Sequence, residues 1–249
     1  MKFAANVTLL FSELPMMERF GAAWAAGFTG VEVLFPYDEP VPTFVDRLSR
    51  NDLEMVLMNC PPPNYTGGER GFAAVPASKP RFQQDFRRAL RFAKALNTRH
   101  IHIMAGVAAG AEAHATFVEN LSWAAGFAPD QSLTIEPLNQ QDMPGYFLSD
   151  FHKAKEIVVE VGAKNLGLQF DTYHAAQTHG DVMAVWAAVK DVVRHIQLGQ
   201  APDRSEPGPG QIDFDSFFAQ VAADGYGGWL SAEYHPSKQT QDTLGWLPR

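Results

Sequence analysis

Four short apolar runs in the second half of the chain each end on, or beside, an oxygen-bearing side chain. Residues 133–139 (LTIEPLN) carry Glu136, 166–171 (LGLQFD) Asp171, 195–200 (HIQLGQ) Gln197 and 229–234 (WLSAEY) Glu233. These four are spaced by 35, 26 and 36 residues. Each interval fits one strand, one helix and two loops, a unit of about 30 residues. Repetition of that unit implies a parallel sheet with its helices outside. Four polar groups, one per unit, then meet at one mouth of a barrel, where a metal site would need them.

The first half repeats the alternation. Strands are expected at 2–7, 31–35, 54–59 and 101–105, and helices at 14–26, 43–50, 80–96 and 111–127. Further helices are expected at 150–161, 182–193 and 214–223, with 238–247 closing as a last helix. Eight strands in 249 residues match the roughly 250 of one (β/α)8 TIM barrel, so residues 1–249 are read as a single domain. The competitor, an open doubly wound sheet for a dinucleotide, would need a glycine-rich turn after the first strand, and none follows it. Two irregular stretches, 61–71 and 200–210, are rich in proline and glycine and follow the third and seventh strands. That places both on the active face, and the first is long enough to act as a lid.

Net charge is −8, a surface that repels a nucleic-acid backbone, so no nucleic-acid partner is expected. Cys60 is the one cysteine, which rules out an intrachain disulfide and suits a cytoplasmic setting. Lys2 and the apolar residues after it are interrupted by Asn6, Thr8 and Glu13, so they read as a strand rather than a leader. No run approaches the ~20 apolar residues of a membrane span, and no membrane association is expected.

Three carboxylates buried at one mouth would repel each other without a cation. The donors are hard oxygens with no thiolate near, which favours Mg2+ or Mn2+. The competing reading is that each residue is a solvent-facing strand end, which four successive units make less economical. A carboxylate substrate would need added positive charge, and Arg70 and Arg204 in the two irregular stretches can supply planar, two-pronged donors. Each arginine could instead brace its own loop, through Glu69 or Glu206. His174, three residues past Asp171, can donate to a substrate hydroxyl or brace its loop. His100 and His102 lie at strand spacing with no acidic neighbour in sequence and read as core or surface histidines. His114 and His179 carry no signal, His235 a faint one, and nothing marks Cys60 as reactive.

The motifs IEPLN, QFDTYH, HIQL, EPGPG and AEY, with FAAN near the start, GVEVLFPYD and GERG, resemble the hydroxypyruvate isomerase family over nearly the whole chain. GERG with glutamine at the third ligand position sets that family apart from related ketose 3-epimerases, which carry histidine there. The resemblance implies that Glu136, Asp171, Gln197 and Glu233 bind the divalent metal. It also implies that Glu136 and Glu233 are the acid/base pair, and that His174 and Arg204 contact substrate. The implied reaction interconverts hydroxypyruvate and tartronate semialdehyde, a small 2-keto acid and a hydroxy-aldehyde. Members also include 2-oxo-tetronate isomerases, and a homo-oligomer is among the expected assemblies. One departure is Leu198-Gly199-Gln200, where an acidic residue would be expected. The rivals are a ketose 3-epimerase, a phosphodiesterase related to apurinic endonucleases, and a non-catalytic sugar-binding barrel.

Overall fold

A computed structural model describes residues 1–60 and 70–248. Eight strands form a closed barrel in chain order, each parallel to the next. They are β1 Lys2–Asn6, β2 Gly30–Glu32, β3 Glu54–Asn59, β4 His100–His102, β5 Ser132–Ile135, β6 Leu166–Asp171, β7 Val193–Leu198 and β8 Trp229–Ala232. β8 closes on β1, with Lys2 opposite Trp229 and Ala5 opposite Ala232. The helices are α1 Met16–Ala25, α2 Val41–Arg50, α3 Lys79–Leu96, α4 Gly110–Phe127, α5 Phe151–Val161, α6 Thr172–His179, α7 Val182–Val189 and α8 Phe214–Ala223. The TIM-barrel expectation is therefore met. Among the described residues no helix is long and apolar enough to cross a membrane.

Local chemistry explains the boundaries. On α3, Phe82, Phe86, Ala89, Leu90, Ala93 and Leu96 recur on one face and are buried. Asn97, in the left-handed region at φ 51°, ends that helix. α5, α7 and α8 each begin on an aspartate, Asp150, Asp181 and Asp213, whose carboxylate accepts a backbone N–H of the first turn. Between barrel and helices, Phe170, Trp186 and Phe217 form an interlocked aromatic layer. Phe170 stacks on Phe217, and Trp186 meets both edge-on.

Three expectations need correction. A short helix, α6, follows β6 where only a loop was read. The helix read over 182–193 stops at Val189, and one 3-10 turn leads into β7. The tail contributes a single 3-10 turn, Thr240–Thr243, in place of a helix. Thr240 is nonetheless tied down: its hydroxyl accepts the Phe11 N–H, and both its N–H and its hydroxyl bind Glu13. The proline-rich stretch after β3 lies outside the described residues until Arg70. There the chain is pinned against β4's end. Gly71 bridges Ala105 with φ +90°, and a Cβ on it would lie 2.2 Å from the Met104 carbonyl oxygen.

Candidate active site

The carboxyl ends of the strands surround a cavity of about 210 Å³. Arg70, His102, Glu136, His174, Arg204 and Glu233 stand in its wall. A wider hollow of about 1020 Å³ lies at the opposite end of the barrel, around Lys2, Arg99 and Arg194, and includes none of these six. Glu136 and Glu233 are the first residues past β5 and β8, and Asp171 is the last of β6. All three are buried, as is Gln197 on β7.

Asp171 does two jobs. Its Oδ1 accepts the backbone N–H groups of Tyr173 at 2.7 Å and His174 at 3.3 Å, which caps α6. Its Oδ2 pairs with Arg204 Nη2 at 2.7 Å. The same guanidinium nitrogen lies 3.2 Å from Glu233 Oε1, and the group sits over the Tyr173 ring. Arg204 is thus not a brace for Glu206, which binds Ser237 instead. The 200–212 loop that carries Arg204 is held by Gln200, the departure noted in the sequence. Its amide donates to the Gly208 and Ile212 carbonyls and accepts from the Ala201 and Ile212 N–H groups.

Electrostatics at the mouth are unbalanced. Burial, with repulsion from Glu233 and Asp171, pushes the Glu136 carboxyl well above its ordinary range. Burial lifts Glu233 to about 8 and raises Asp171 against the pull of Arg204. Burial alone would lower Arg204, but Asp171, Glu233 and Glu136 hold it above its usual value. Two guanidiniums, Arg204 and Arg70, stand against three carboxylates, and Glu233 Oε2 is buried without a hydrogen-bond partner among the described residues. A divalent cation fits such a set, since it would neutralise the excess and satisfy the orphaned oxygen.

One oxygen each of Glu136 and Asp171 and one nitrogen of His174 lie within 4.8 Å of one another. The histidine's hydrogen bonds define its part. His174 Nδ1 receives the Asn139 backbone N–H at 3.1 Å and its side-chain amide at 2.8 Å. A backbone N–H can only donate, so Nδ1 is bare and the proton resides on Nε2. Burial keeps the ring neutral. Nε2–H lies 3.8 Å from Asp171 Oδ2 and 4.0 Å from Glu136 Oε1, too far to be bound to either, and is a donor to whatever fills the cavity.

Gln197 lies a layer deeper. Its Oε1 accepts from Gln169 Nε2 at 2.6 Å, and its Nε2 donates to Glu32 Oε2 at 2.9 Å. Glu32 was not anticipated. It is fully buried, binds Asn6 and His195, and its carboxyl is lifted to about 7 by burial. His195 is driven down to about 3 by burial, so a neutral imidazole stands beside the raised Glu32 carboxyl. His102 is corrected as well. It lines the cavity, with Nδ1 on Asn59 Oδ1 at 3.1 Å and 3.4 Å from Glu136 Oε2. Its acidic neighbour is 34 residues away, which is why sequence proximity hid it. Gln169 and His195 each stand two residues before a residue that had been singled out. The two-residue period of a strand puts both on the same inner face, and that signal was available. His235 is exposed and lies outside the cavity wall, and His114 pairs with Glu160 on the surface.

Comparison with known proteins adds a second line. The family model described as xylose isomerase-like TIM barrel matches residues 20–249. A 2-oxo-tetronate isomerase of Cupriavidus necator is 40% identical over 252 residues, covering 99% of this chain and 97% of the relative. The hydroxypyruvate isomerase of Escherichia coli is 35% identical over 253 residues, covering 99% and 98%. Among solved structures, one described as AP endonuclease, family 2, from Brucella melitensis superposes with a TM-score of 0.95 at 37% identity, covering 98% of this chain and 97% of that one.

Proposed function

The chain belongs to the xylose isomerase-like TIM barrel family and is an isomerase of the hydroxypyruvate and 2-oxo-tetronate isomerase group, and from that premise we propose that it interconverts a small 2-keto acid and its 2-hydroxy aldehyde isomer. With a three-carbon substrate these are hydroxypyruvate and 2-hydroxy-3-oxopropanoate. Residues 1–249 act as one catalytic domain. The observation that carries this reading is the pair Glu136 and Glu233, two buried carboxylates facing one small cavity. Each has one oxygen engaged and the other unclaimed: Glu136 Oε2 by Gln169, Glu233 Oε1 by Arg204.

One glutamate takes a proton from C3, and the electron pair moves into the C2–C3 bond, leaving an enediolate. The other returns a proton to C2, the O3 proton leaves, and O2 gains one. Proton transfer by positioned carboxylates of raised basicity suits this step. His174, neutral with its proton on Nε2, donates to the enediolate oxygen as negative charge gathers there. Arg70 and the remaining Arg204 nitrogen, Nη1, serve the substrate carboxylate.

Glu136, Asp171, Gln197 and Glu233 would hold Mg2+ or Mn2+, Gln197 through the second lone pair of the Oε1 that accepts from Gln169. When bound, the ion polarises the substrate carbonyl.

The test is hydrogen exchange in deuterated water with hydroxypyruvate or a 2-oxo-tetronate, read by NMR, together with metal content. Glu136→Gln and Glu233→Gln should each lose at least about 100-fold in turnover while folding normally. Near wild-type turnover in either removes it as a base. A ketose 3-epimerase would use the same glutamates on a neutral sugar. The cavity of about 210 Å³ and its two arginines favour a short acid over a six-carbon sugar. The net charge of −8 weighs against phosphodiester substrates.

A further inference from the structure

Beneath the mouth, buried amides form a ladder that ends on one reacting carboxylate. Glu32 Oε2 accepts from Gln197 Nε2 at 2.9 Å, which turns the Gln197 amide so that its oxygen faces Gln169. Gln169 Nε2 then donates both hydrogens, one to Gln197 Oε1 at 2.6 Å and one to Glu136 Oε2 at 2.8 Å. The other end of the Gln169 amide is fixed as well, because its Oε1 accepts the Thr134 hydroxyl at 3.1 Å. All these groups are buried. The Gln169 amide therefore has one satisfactory orientation, and turning it over would set oxygen against oxygen at two places.

We propose that Gln169 is a positioning residue for the isomerisation: it holds Glu136 by Oε2, so that Oε1 is the oxygen that exchanges a proton with substrate. The inference rests on the isomerase reading above. Glu233 has no such support. Its tied oxygen is held by Arg204 from the loop side, and nothing among the described residues binds Oε2. The two carboxylates are thus supported by separate parts of the fold, Glu136 from the barrel interior and Glu233 from the 200–212 loop. Loosening Gln169 must harm one half of the reaction and spare the other.

The two halves can be measured apart. Exchange of the C3 hydrogens of hydroxypyruvate with deuterated solvent reports the group that serves C3. Exchange at C2 of 2-hydroxy-3-oxopropanoate reports the group that serves C2. Gln169→Met keeps length and removes both donors, and Thr134→Val keeps shape and removes the hydroxyl that orients the amide. In Gln169→Met, exchange at the carbon served by Glu136, identified from Glu136→Gln, should fall about 10- to 100-fold, as expected for a misplaced catalytic group. Exchange at the other carbon should stay within about threefold, and KM should change less than kcat. Thr134→Val should give the same asymmetry, a few-fold in size, and carries the test if Gln169→Met does not fold. Equal loss at both carbons, or no loss in either variant, overturns the proposal. Absence of exchange at both carbons in the wild-type protein instead overturns the isomerase reading itself.

Discussion

Arg204 is the residue on which the site's charge balance turns. It is the partner of both Asp171 and Glu233, so its removal strands two buried carboxylates. Breaking a buried pair in this way costs about 3 kcal/mol. Arg204→Ala should lower stability by about that amount in urea denaturation and raise KM for carboxylate substrates. Arg204→Lys should recover little, since one ammonium cannot span both partners. Added Mn2+ should return part of the lost stability if the carboxylates hold a cation. At this scale the sequence was partly legible. Residue types at strand ends pointed to Glu136, Asp171 and Glu233. The pairing of Arg204 with groups 33 and 29 residues away was not, nor the tautomer of His174, which depends on Asn139.

The elements that place these residues are short, and each rests on a few local bonds. α6 exists because Asp171 caps it, and eight residues without an apolar stripe gave the sequence no period to read. The two jobs of Asp171 can be separated by substitution. Asp171→Asn retains the capping oxygen and loses the ion pair. Asp171→Ala loses both and should be less stable than the asparagine variant by about 1 kcal/mol, measured by thermal or urea unfolding. Gly71 offers a second test. It holds φ +90° against β4's end, and a Cβ there would meet the Met104 carbonyl at 2.2 Å. Gly71→Ala must therefore move the chain beside Arg70, and KM for the keto acid should rise several-fold while exchange at saturating substrate changes less. The long helices were legible because six or more buried positions on α3 repeat at helical spacing. The reading of β1, β2 and β4 ran past their assigned ends, where buried apolar residues and single backbone bonds between neighbouring strands continue at Val7, Val33 and Ile103.

Across the whole molecule the buried titratable groups act as two opposed sets. Glu32, Glu136 and Glu233 keep protons in the native state that the unfolded chain releases above its ordinary value of 4.5, up to about 7 for Glu32 and about 8 for Glu233. Stability from that set falls as pH rises through this range. Burial drives His102 and His195 down to about 3 and lowers His100 and His174, all from 6.5. The unfolded chain binds those protons first, so stability from the second set falls as pH drops from 6.5. Between 4.5 and 6.5 the two sets oppose each other; above it only the first acts, and below it the four histidines outweigh Asp171, which is raised from 3.8. Metal-free protein should therefore be most stable between 4.5 and 6.5 in urea denaturation, and a divalent cation should help most above that window. A stability that climbs steadily from 6.5 to 8 without metal would contradict this. The closed barrel was legible from the count of βα units. The opposed sets were not, because they require knowing that strands far apart in sequence share one interior.

Cys60, just past β3, is buried, and burial together with the Asp85 charge pushes its thiol upward. Alkylating reagents attack the thiolate, and this sulfur stays protonated and covered. Iodoacetamide should leave the native protein unmodified and fully active, while unfolding in urea should admit one carbamidomethyl group. A preparation of this protein should therefore keep without reductant, and a cysteine engineered onto its surface could be labelled alone.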